Sequence, residues 1–120
     1  MGACQNVTQG VTDLNAAATD RNTELSSAQG LQVDALPDGD QIKQSLVTAL
    51  TYSLQADQSF ASWAASIDPG TCQPPAPQGP DYAAADSASQ QATAAKTQFL
   101  TLWQPIAAQY SLPVPAEGDI

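Results

Sequence analysis

The sequence predicts an all-α fold: an elongated up-down-up three-helix bundle with one disulfide. Three observations carry that reading. Asp40 to Ile67 is the longest stretch free of Gly and Pro, and it bears a continuous apolar stripe. Two further stretches, set off by Gly and Pro, repeat the same spacing. The two cysteines, Cys4 and Cys72, fall at one shared end if the three helices run antiparallel.

The central helix is expected over 39–68. Alternating steps of four and three from Ile42 give Leu46, Ala49, Ser53, Ala56, Phe60, Trp63 and Ile67, polar only at Ser53. This is the period of a helix with one core-facing side, and the run is far too long for a strand. Asp38 or Asp40 is expected to cap its start through a side-chain oxygen. Asp68-Pro69-Gly70 ends it, because the residue before proline disfavours the helical region. At 1.5 Å per residue such a helix is roughly 42 Å long, which makes the bundle elongated.

The first helix is expected over 5–29, with Val7, Val11, Leu14, Ala18, Arg21, Leu25 and Ala28 on its inner side. Gly30 stops it. In the following connection, Leu31, Val33 and Leu36 are expected to cover the bottom of the bundle, with Pro37 and Gly39 supplying the turn. The segment 71–80, TCQPPAPQGP, reads as a stiff extended loop anchored by Cys72; four prolines exclude a helix. As a partner's proline-rich ligand it lacks any flanking basic residue.

The third helix is expected over 80–110. Pro80 suits a first helical position and Asp81 suits the positive end of the helix dipole. Its stripe is Ala85, Ala88, Ala92, Ala95, Phe99, Leu102 and Ile106, small first and large later. That order predicts a bundle pinched at one end and bulky at the other. Pro105 removes one backbone hydrogen bond and is expected to kink or convert the last turns. Residues 111–120 read as an extended tail. The whole chain, 1–120, is read as one domain.

Antiparallel register sets Cys4 beside Cys72. It also sets Arg21 and Lys96 level with Asp57, predicting a partly buried ion cluster, Arg21–Asp57–Lys96, that fixes helix register more than it adds stability. The alternative use of that cluster is an anion or ligand site. For Cys4 there is a rival to the disulfide, a lipid-modified cysteine behind a trimmed signal sequence. Met1-Gly2 reads as an initiator ahead of an excised fragment.

Composition excludes several functions. The net charge is -9 with three basic residues, Arg21, Lys43 and Lys96. Nothing there neutralises a run of nucleic-acid phosphates or favours an anionic membrane surface. No apolar run reaches the 18 or so residues of a membrane span. With no histidine, the Ser-His-Asp arrangement and most zinc sites are excluded. No catalytic residues, metal ligands or cofactors are expected. Asp34, Asp38 and Asp40 lack the downstream glutamate of a helix-loop-helix calcium site and read as turn and cap residues. Asn6-Val7-Thr8 fits a glycosylation acceptor. A cysteine pair in an acidic, lysine-poor chain points to an extracytoplasmic compartment, secreted or membrane-anchored.

The residues SLVTALTYSLQADQSFASWA, then Cys72, TAAKTQFLTLWQPIAAQYSLP and the closing GDI resemble exported helical domains of actinobacterial secreted or membrane-tethered proteins. The resemblance rests on Ala56-Asp57-Gln58, Trp63, Cys72, Lys96 and Trp103-Gln104-Pro105. It implies a compartment and no activity. The expected function is therefore a non-enzymatic extracytoplasmic interaction or sensing module, monomer or dimer, of unknown partner. The alternative is a small-ligand carrier with an aromatic-lined pocket of Trp63, Phe99 and Trp103, joined by Tyr82 or Tyr110.

Overall fold

A computed structural model describes residues 2–120, so the reading of Met1 lies outside the described residues. Three helices follow in order: α1 (Val7–Gln29), α2 (Gly39–Ala65) and α3 (Gly79–Gln109). A short 3-10 turn, Glu117–Asp119, closes the chain. The architecture is the elongated three-helix bundle with one disulfide that the stripes predict. The molecule measures 56 × 22 × 21 Å, with a Cα radius of gyration of 17.1 Å. A spherical domain of this length has about 13.6 Å, so the extra length comes from helices lying side by side.

The stripes explain the packing. All seven predicted inner positions of α1 are buried or half-buried, as are all eight of the central stripe and all seven of α3. α2 packs against both neighbours, whereas α1 and α3 do not pack on each other. This leaves a groove between α1 and α3, floored by α2. α1 is the least anchored helix, with only Val7 and Ala28 buried. Its exposed Thr12, Thr19 and Thr23 hydroxyls donate instead to carbonyls four residues back.

Two bulky clusters sit at the poles. At the first, Val7, Trp63, Ala64, Ile67 and Ala76 are buried together, flanked by Leu14, Phe60, Tyr82 and both cysteines. At the second, Ile42, Phe99 and Ile106 are joined by Leu36, Leu46, Leu100, Leu102, Trp103 and Ile120. Between them lies an alanine waist of Ala49, Ala56, Ala85, Ala88 and Ala92. The pinch is thus central, correcting the expectation of one narrow end. Trp63 and Ile67 of α2 supply the bulk that α3 lacks at the first pole.

Cys4 and Cys72 are bonded, with Cα atoms 5.7 Å apart and a separation of 68 positions in sequence. Both sulfurs are committed, which sets aside the lipidated Cys4. The first pole is tied further by the Ala76 N–H donating to the Gly2 carbonyl at 2.8 Å and the Trp63 indole N–H donating to the Pro77 carbonyl at 2.8 Å.

Four local expectations change. Asp38 stands at the N-cap of α2 in left-handed backbone (φ 53°) and makes no side-chain cap bond; its carbonyl accepts from the Ile42 N–H instead. Pro105 does not convert the last turns, since α3 stays helical to Gln109 and the Tyr110 N–H is bonded to the Ile106 carbonyl. Of the three apolar residues expected to cover the bottom of the bundle, Leu31 is exposed instead, while Leu36 packs against the second cluster as expected. The tail folds back on α3, where Ile120 joins the second cluster and Trp103 donates to the Pro113 carbonyl at 3.4 Å.

Candidate functional site

Mid-height in the groove, the three helices and the tail line a half-open cavity of about 180 Å³. α1 contributes Arg21. α2 contributes Ser53, Ala56, Asp57 and Phe60, on successive turns of its inner side. α3 adds Ser89, Thr93 and Lys96, and the returning tail adds Glu117. Arg21, Asp57 and Lys96 therefore line one space, at the height that the register argument assigned them. Sequence reasoning missed Ser53 as more than a polar gap in a stripe, and it missed Glu117 entirely. Ser53 was visible as the one polar position of the central stripe. Glu117 had no signal, since its place depends on the tail folding back.

The electrostatics are uneven. Arg21 donates through Nη1 to Glu24 Oε2 at 3.0 Å, an exposed pair one turn along α1. Its Nε lies 3.6 Å from Asp57 Oδ2, an ion pair too long for a hydrogen bond. Among the described residues, Lys96 forms no ion pair with Asp57, so the cluster is a pair with a nearby third charge. Burial pushes the Asp57 carboxyl above its ordinary 3.8, while Arg21, and to a lesser degree Lys96, pull it down. Among the described residues, three buried side-chain atoms lack a hydrogen-bond partner, namely Arg21 Nε, Ser53 Oγ and Asp57 Oδ2. All three residues line this cavity.

The expected aromatic pocket is divided. Trp63 belongs to the first pole, edge-to-face with Tyr82 at 5.0 Å, and Tyr82 also meets Phe60 edge-to-face at 5.6 Å. Phe99 and Trp103 belong to the second pole, stacked at 6.4 Å. Trp63, Phe99 and Trp103 thus do not line one pocket. The reason is register: Phe99 lies 17 residues along α3 from Tyr82, which meets both Phe60 and Trp63, and that is roughly 26 Å along the axis. A separate space of about 380 Å³ at the first pole is lined by Leu14, Phe60, Trp63, Pro75 and Tyr82, among others. Phe60 is common to it and to the charged cavity.

The large exposed hydrophobics are Leu31, Tyr110, Leu112 and Val114. Leu31 follows the end of α1, and Tyr110 and Leu112 follow the end of α3, at the pole opposite the disulfide; Val114 lies in the returning tail, next to the Pro113 carbonyl that Trp103 holds. Among the described residues, no helix is long and apolar enough to cross a membrane, and no acidic or cysteine group is gathered to hold a metal ion. Comparison of the chain with family models, curated proteins and solved structures returns no match, so the site is read from its own geometry.

Proposed function

We propose that the chain is a non-enzymatic extracytoplasmic interaction or sensing module that docks a protein partner at the pole opposite the disulfide. The observation that carries this reading is the exposure of Leu31, Tyr110 and Leu112 at that end, 44–51% each. Exposed apolar side chains grouped at one place mark interaction surfaces far more often than scattered ones do. The chain's charge of -9 disfavours a second copy and favours a partner whose apolar centre is ringed by lysine or arginine. The disulfide and the resemblance to exported actinobacterial domains support the compartment.

The test is site-specific photo-crosslinking in the native host. A photo-reactive residue at Leu112 is expected to give a discrete adduct, while one at exposed Gln55, mid-way along α2, gives none. Equal labelling at both positions, or none at Leu112, would contradict the reading. A second reading, a small-ligand carrier, is favoured by the charged cavity with its unsatisfied buried atoms.

A further inference from the structure

Buried polar atoms without partners are few in folded proteins, and each costs free energy unless something satisfies it. Here the Ser53 hydroxyl is such a group, and it shares a cavity with Arg21 Nε and Asp57 Oδ2, which face each other at 3.6 Å without a hydrogen bond. Ser53 is only 5% exposed, and its hydroxyl donates to no carbonyl of its own helix. The cavity has room for roughly six waters at their liquid volume of about 30 Å³ each, and therefore for a small organic molecule.

The wall chemistry narrows the choice. Two cations, Arg21 and Lys96, share the lining with two carboxylates, Asp57 and Glu117, and with the Ser53, Ser89 and Thr93 hydroxyls. A bare anion would meet both carboxylates, and a bare cation would meet both basic groups. A molecule bearing both charges avoids each penalty. Phe60 is the wall that the charged cavity shares with the apolar space of Leu14, Trp63 and Tyr82, and it gives the cavity one apolar side. We infer that the cavity bounded by Arg21, Ser53, Asp57, Lys96 and Glu117 binds a free α-amino acid zwitterion with an apolar side chain. Its carboxylate goes to Arg21 and Lys96, its ammonium to Asp57 and Glu117, and its side chain toward Phe60. The inference rests on the carrier reading.

Calorimetric titration of the oxidised chain tests it, with four probes: L-leucine, glycine, isoamylamine (leucine without its carboxylate) and 4-methylpentanoate (leucine without its ammonium). Leucine is expected to bind, and each of the other three at least ten-fold more weakly. Ser53→Ala, which keeps a helix-compatible side chain, is expected to weaken leucine several-fold with the melting curve unchanged; Arg21→Gln weakens it further. No leucine heat up to about 10 mM, or equal affinity for 4-methylpentanoate, overturns the inference. A parallel panel of sugars, nucleosides and fatty acids separates the two claims. If one of these binds in place of leucine, the zwitterion is wrong and the carrier reading stands; if nothing binds, both fall. Leu112→Asp is expected to leave leucine affinity as in the wild type, because the docking pole is a separate surface.

Discussion

Two residues show how local chemistry sets this structure. Gly39 begins α2, and a Cβ there would run into the Val33 carbonyl oxygen. The connection can close against the helix only because that position carries no side chain. Gly39→Ala is expected to destabilise by about 2 kcal/mol, read as a melting point lower by roughly 8 °C; an unchanged melting curve would refute the close approach. Asp57 is the second. Its carboxyl is pushed above 3.8, chiefly by burial. The folded chain therefore holds that proton to higher pH than the unfolded chain does. The associated stability is greatest below 3.8 and is lost as pH rises through the folded value. Urea unfolding of wild type and Asp57→Asn across this range measures it. The wild type's stability minus the variant's is expected to fall with rising pH and then level off. Arg21, Lys96, Glu24 and Glu117, the neighbouring charges, remain in both proteins. A difference that rises with pH would mean that the ion pair outweighs desolvation.

At the level of elements, the helical period was legible because every inner position is decided by local spacing. Val7 to Ala28 of α1 illustrates it: even Arg21, a charge in an apolar stripe, is turned inward to meet Asp57. The helix ends were read to within three residues, since Gly30, Pro69 and Pro80 punctuate the chain. The division of the aromatics was not legible, nor the return of the tail. Both depend on which residues of different elements share a height. Trp63 and Phe99 carry the same period and differ only in position along the axis. Ile120 has no periodic neighbours to announce it, and finds its core partners across a turn. The alanine waist gives an element-level prediction. Ala85 is fully buried, so Ala85→Leu must push α3 from its neighbour. The expected cost is about 1–3 kcal/mol, measured by denaturant unfolding; a stabilised variant would show that the waist holds unfilled space.

For the molecule as a whole, the disulfide and the docking pole divide the labour. One end is closed by Cys4–Cys72, the Ala76 to Gly2 bond and the Trp63 to Pro77 bond. The other end has no covalent tie: it is closed by side-chain packing and by hydrogen bonds from Lys43 Nζ to the Leu31 carbonyl and from Trp103 to the Pro113 carbonyl, and it presents Leu31, Tyr110 and Leu112. By loop-closure entropy, a bridge spanning 68 residues contributes about 4 kcal/mol. α1 needs that constraint most, because it packs only on α2 and buries only two residues fully. The central claim is that α2 is the shared core of the bundle and that α1 is held to it largely by the covalent clamp. Residue-resolved hydrogen exchange, run on the oxidised and the reduced chain, tests this most directly. The prediction is that amides of Ala49 to Ala64 are slowest in both, and that reduction speeds α1 far more than α3, beginning near Val7. Equal acceleration of α1 and α3, or loss that begins at the Leu31 end, would contradict it.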